Sequence, residues 1–133
     1  MVYDGREIAN FILDFCDEKN IKVSNLALQK ILYFCHVWSL VRLDRPLIRH
    51  QFEAWKFGPV LQYVYREFKD FEKHPIKSRA HKLDAQTGQK CEVQYCLDNP
   101  TQELLETVVG FYSKLPASYL VDLSHAKDGP WDI

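Results

Sequence analysis

Between Ser24 and Val41 the chain carries apolar side chains over most of a helical circumference. Leu28, Ile31, Leu32, Cys35 and Trp38 recur at helical period, and Leu26, Phe34, Val37 and Val41 widen the stripe. A helix that is apolar over so broad a face has to be covered by other elements, which makes it the central helix of a small bundle. The pattern predicts that Ile31, Leu32, Cys35 and Trp38 are buried between the first and fourth helices.

The covering elements are legible on either side. Asp4 as N-cap with Glu7 three positions later has capping-box spacing, and Ile8, Phe11, Ile12 and Phe15 follow at helical period, so a first helix runs to about Lys19. Ser24 caps the central helix. Phe52 to Phe57 is aromatic and too short for a stable helix, hence a strand or extended arm. Gly58 turns the chain, and Pro59 suits the first position of a third helix, where its missing N–H is no loss. Leu61, Val64, Tyr65, Phe68 and Phe71 would give that helix its buried side. From Lys73 to Leu97 the period disappears, and Ile76 to Leu83 can pair with Lys90 to Leu97 as a hairpin across Asp84 to Gln89. Lys73, Lys77, Arg79, Lys82 and Lys90 read there as a solvated basic face. Asn99 and Pro100 open a fourth helix with Leu104, Leu105, Val108, Phe111, Tyr112 and Leu115 on one face. Pro116 ends it, and a short fifth helix carries Tyr119, Leu120 and Leu123. The expected fold is mainly α: a small bundle of about five helices with a short β-hairpin or extended arm. A single domain over 1–133, with a hairpin insertion at 73–97, accounts for the whole pattern.

The size supports this reading. At 133 residues, 47% of them apolar, the chain can bury a core that offsets the entropy of ordering. A net charge of -1 argues against a dedicated nucleic-acid binder, which needs Lys and Arg in surplus on one face. No apolar run approaches the length that spans a bilayer, and Met1 to Glu7 is polar, so a cytoplasmic protein, neither exported nor inserted, is expected. Cys16 and Cys35 sit in helical apolar patterns and read as core. Cys91 and Cys96 lie five apart in an extended segment, where alternation puts them on opposite faces and makes them poor partners for one metal. Neither a disulfide nor a structural metal is expected.

Chemistry has little to stand on. The five histidines are dispersed without metal spacing, and Cys35 and His36, as helical neighbours, point about 100 degrees apart. No Gly-rich phosphate loop or GxSxG elbow occurs, so no cofactor and no catalytic residue is assigned. An enzyme using His36 or His125 would need a deep polar pocket joining them to a carboxylate. Gln29, Tyr33 and His36 form a polar stripe along the central helix. It reads as a satisfied buried network or a solvent edge, the alternative being a groove that faces a ligand or partner.

The densest cluster of unusual residues is Glu53-Ala54-Trp55-Lys56-Phe57-Gly58-Pro59-Val60. Together with Leu28-Gln29-Lys30-Ile31-Leu32-Tyr33-Phe34, His36 and Trp38 before it, and Val64-Tyr65-Arg66-Glu67-Phe68, Leu123-Ser124-His125 and Gly129-Pro130-Trp131 after it, this stretch resembles the Panacea domain. That family of toxin-neutralising antitoxins includes proteolytic adaptors and phage-associated proteins. The resemblance implies a mainly helical domain that binds and silences a small toxin encoded by an adjacent gene, in some members delivering it to a protease. It leads one to expect a further C-terminal segment, whereas this chain stops two residues after Trp131. It also places Trp55, Lys56, His125 and Trp131 among the signature residues. Trp55, Lys56, Tyr63, His125 and Trp131 are therefore the candidate partner-binding surface, the rings supplying contact area and Lys56 and His125 polar orientation. The plainer reading is that Trp55 and Trp131 cement the C-terminus to the core. A DNA-binding transcriptional regulator of a mobile element is the alternative function, against which the near-neutral charge and the lack of a clear recognition helix both count.

Overall fold

The computed structural model describes residues 2–125. Among them, five helices and two small antiparallel strand pairs make a mainly α fold. In chain order these are α1 (Gly5–Glu18), α2 (Asn25–Arg42), β1 (Glu53–Trp55), β2 (Gly58–Val60), α3 (Gln62–Phe68), β3 (His81–Leu83), β4 (Lys90–Glu92), α4 (Asn99–Tyr112) and α5 (Ala117–Ser124).

Local chemistry sets the helix ends. The Asp4 carboxylate accepts the Arg6 N–H at 2.8 Å while the Glu7 carboxylate accepts the Asp4 N–H at 3.0 Å, the reciprocal capping box expected at the start of α1. Ser24 accepts the Ala27 N–H at 3.2 Å and starts α2. Asp98 caps α4 through Thr101, with Asn99 and Pro100 as the first helical residues, and Arg45 clamps the same cap from the loop after α2.

α2 is the central element, packed against α1, α3, α4, α5 and β2. Its Leu28, Ile31, Leu32 and Cys35 are buried with Ile8 and Ile12 of α1, Leu105, Val108 and Val109 of α4, Leu61, Val64 and Phe68 around α3, and Leu120 of α5. Trp38 is only half-buried: its indole lies at the rim, donating to the Tyr112 hydroxyl at 3.0 Å, with the Arg42 guanidinium over its ring. Phe111 likewise leaves the expected buried face of α4 and is 61% exposed.

Pro59 does not open a helix. It lies in β2, paired with Ala54 of β1, and α3 starts only at Gln62. Gly58, at φ 101, closes a tight turn over Lys56 and Phe57, so the arm finds its strand partner in the residues read as the next helix start. The strand tolerates proline because Ala54 and Pro59 form a non-hydrogen-bonded pair, in which no N–H is required of position 59. Pro116 caps the start of α5, and α4 has already ended at Tyr112.

The second hairpin is short, with His81–Leu83 paired to Lys90–Glu92, and it is more than a solvated arm. Asn10, buried on α1, donates to the carbonyls of Ala80 at 3.2 Å and Val93 at 2.9 Å, and accepts the Ala80 N–H at 2.8 Å. Arg79 bridges Asp14 at 2.6 Å and Asp17 at 3.1 Å, and the Tyr95 hydroxyl donates to Asp14 at 2.7 Å. Asn10→Ala strips these bonds from a buried backbone amide and should lower stability by about 2 to 4 kcal/mol in urea denaturation. A loss under about 1 kcal/mol would show that the hairpin is held in another way.

Candidate interaction site at the β1–β2 hairpin

Three polar side chains on the N-terminal half of α2 point into the interior. All three reach the chain around β2. Asn25 donates to the Tyr65 carbonyl at 3.0 Å and accepts from the Gln29 amide at 3.1 Å, and Gln29 accepts the Leu61 N–H at 2.9 Å. Lys30, with none of its surface exposed, donates to the Pro59 carbonyl at 2.7 Å. In an antiparallel pair, alternate residues direct both backbone groups to the same side. The outward groups of β2 and the residue after it, Pro59 C=O and Leu61 N–H, are thus satisfied by α2 side chains standing where a third strand would lie. Burial disfavours the charged ammonium and lowers the Lys30 pKa from 10.5 to about 8.

Gly58 is where distant stretches meet. A Cβ there would lie 2.7 Å from Ser124 Oγ, 3.2 Å from His125 Nε2 and 3.3 Å from Lys30 Nζ. At φ 101 the backbone also favours glycine. The end of α5, the β1–β2 turn and the middle of α2 therefore close on one another around a missing side chain.

Outside this clasp the hairpin tip faces solvent. Lys56 is exposed, with its ammonium over the ring of Phe57, which is itself 54% exposed. The Trp55 indole N–H donates to Glu53 at 3.0 Å, and its ring meets Tyr65 edge-on at 5.0 Å. Trp55, Lys56, Phe57, Val60, Tyr65 and Leu26 line a groove of about 430 Å³ to which Lys73 and Glu72 also contribute.

The five candidate residues do not all gather here. Trp55 and Lys56 share the tip, and His125 touches the turn from below at Gly58. Tyr63 belongs to another cluster: its hydroxyl accepts the Gly5 N–H at 2.6 Å, donates to Asp4 at 3.2 Å, and its ring packs on His50. Trp131 lies outside the described residues. Burial raises the Asp4 carboxyl, but the hydrogen bonds and charge of Arg6, with the Tyr63 hydroxyl, outweigh it and leave the pKa at about 2. His36 accepts the Ile48 N–H at 3.2 Å and packs on Phe52, Gln29 belongs to the clasp, and the buried Tyr33 ring also packs on Phe52, so the polar stripe faces inward along its length. No group of three or more His, Cys, Asp or Glu among the described residues is placed to hold a metal ion.

Two features escaped the sequence reading. One is Lys30, the single formal charge between Val23 and Val41, whose isolation among apolar neighbours is the signal of its burial. The other is an apolar groove of about 590 Å³ between α2 and α4, lined by Trp38, Arg42, Leu104, Val108, Phe111 and Tyr112. It arises because Trp38 and Phe111 stop short of the core, which periodicity alone does not reveal.

Residues 28–132 match the family described as Antitoxin SocA-like, Panacea domain. Antitoxin SocA of Caulobacter vibrioides (strain NA1000 / CB15N) is 45% identical over 130 residues, which cover 98% of this chain and 69% of that protein. The chain belongs to the SocA-like Panacea antitoxin family. No solved structure matches it. No helix among the described residues is long and apolar enough to cross a membrane.

The clasp makes a pH-dependent prediction. Below about pH 8 both folded and unfolded chains carry the Lys30 proton; between pH 8 and 10.5 the unfolded chain binds more, so Lys30 makes stability rise with pH across that window. Relative to Lys30→Met, which cannot titrate, wild type should gain roughly 2 to 3 kcal/mol between those pH values, measured by denaturation at each. A pH-independent difference would show that burial does not penalise the ammonium.

Proposed function

We propose that this domain is a non-enzymatic antitoxin that acts in the cytoplasm, binding and silencing a small toxin protein encoded by an adjacent gene of a bacterium or its mobile elements. The observation that carries the reading is the hairpin tip. Lys56 and Phe57 stand outward, with Trp55 half-buried beside them against Tyr65, on a hairpin whose inner side is gripped by Gln29, Lys30 and the end of α5. Aromatic residues on a rigid support give large contact area with few torsions left to freeze, the usual make-up of an interface centre. Of the candidate surface, Trp55, Lys56 and His125 carry this role; Trp131 is kept with them on the strength of the resemblance. Tyr63 serves the α1 start instead, through its bonds to Asp4 and Gly5.

Delivery of the bound toxin to a protease is the second activity the resemblance implies. The α2–α4 groove shares no lining residue with the groove beside the hairpin and leaves room for such a second contact.

Coexpression with the adjacent reading frame, scored as rescue of growth, tests the function. Wild type should rescue. Lys56→Ala and Trp55→Ala should lose most of the rescue and weaken binding at least tenfold, with little change in melting temperature for Lys56→Ala. Tyr63→Phe should lower the melting temperature by several degrees with binding retained. Full rescue by both Trp55→Ala and Lys56→Ala would remove the hairpin tip from the interface.

A further inference from the structure

The two edges of the β1–β2 pair differ in kind. On the β2 side, Lys30 and Gln29 occupy the outward carbonyl of Pro59 and the outward N–H of Leu61. On the β1 side the same register turns the Ala54 N–H and C=O away from β2, because Ala54 faces Pro59 in a non-hydrogen-bonded pair. Ala54 is exposed, as are Gln51, Glu53 and Lys56 along the strand, and no bond to its outward groups occurs among the described residues. An open strand edge is a template for pairing, and proteins that do not use one blunt it with charge or cover it.

The second hairpin shows that protection. The His81 N–H of β3 is taken by Glu67 at 2.9 Å, Arg6 reaches the His81 carbonyl, and β4 carries the charges of Lys90 and Glu92. Among the described residues β1 has no such cover. Its one charge, Glu53, is turned onto the Trp55 indole, and its central residue, Ala54, carries no charge to blunt the edge. The aromatic groove runs from Trp55 and Lys56 at the end of β1 across Val60 to Leu26 and Gln29 of α2, and in it Lys56 and Lys73 face a single acid, Glu72.

We propose that β1 is a docking edge: an extended segment of the partner protein adds to it as a third strand, paired to the Ala54 backbone, with an apolar side chain against Trp55 and an acidic one beside Lys56. The backbone bonds supply affinity for any extended segment, and the groove and its basic balance select among them. This inference rests on the toxin-binding reading and specifies how the toxin is held.

The test uses the full chain coexpressed with the product of the adjacent reading frame. Ala54→Pro removes the outward N–H at an edge position where proline is tolerated, whereas Ala54→Val keeps it. Ala54→Pro should retain at least tenfold less of the neighbouring protein in co-purification, Ala54→Val should retain as much as wild type, and the Ala54 amide should exchange with solvent at least tenfold more slowly in the wild-type complex. Should Ala54→Pro fail to fold, the amide exchange of wild type decides. Wild-type binding with unchanged Ala54 exchange, or undiminished capture by folded Ala54→Pro, overturns strand addition and leaves the toxin-binding reading standing. Failure of wild type to bind the neighbouring product overturns that reading and the docking edge with it.

Discussion

The arrangement of this domain depends on an ammonium group held against one backbone carbonyl in its interior. Strands of three residues have no independent stability, and a two-stranded pair in water is marginal at best. The β1–β2 hairpin persists because Lys30 and Gln29 complete the hydrogen bonding of its inner edge while Val60 and Leu61 join the core. Burying a charge is costly unless it is bonded, so the Lys30 to Pro59 contact ties the position of the hairpin to the register of α2.

That tie propagates. With β2 fixed, Gly58 brings its Cα against Ser124 and His125, and α5 packs where a side chain at position 58 would otherwise stand. Three segments far apart in the chain therefore meet at one residue. The same fixation leaves the opposite edge and the tip of the hairpin to solvent, so a support of internal polar bonds presents a surface of aromatic rings and open backbone.

A second polar device works along α1. Asp4 gathers Arg6, Arg49 and Tyr63 while capping α1, and Asn10, two turns along, holds the β3–β4 hairpin by its backbone. In each case one side chain ties together segments distant in sequence, Asp4 through side chains and Asn10 through backbone groups. Short strands and irregular loops can then pack on a helical core without orphaned donors. Tyr63 is informative here, since its aromatic ring near the signature made it a plausible contact residue, yet its hydroxyl is spent on the start of α1.

Much of the fold was written in local pattern. The Asp4 and Glu7 box, the Ser24 cap, the apolar period of α2 and the Asn99-Pro100 start of α4 are properties of neighbouring residues, and the structure keeps each of them. The family and its mainly helical fold were also legible, from signature stretches in order along the chain. What pattern could not decide was which element covers which face. Periodicity placed Trp38 and Phe111 on apolar sides but could not show that those sides run past the edge of their neighbours. Pro59 fitted a helix start equally well until Gly58 folded it back against Ala54. Lys30 was visible only as a lone charge, and its role exists only once β2 lies beside α2. Caps and periods are settled within a few residues of chain, whereas the clasp and the meeting at Gly58 are contacts between segments about 30 to 70 residues apart, and only tertiary packing brings such segments together.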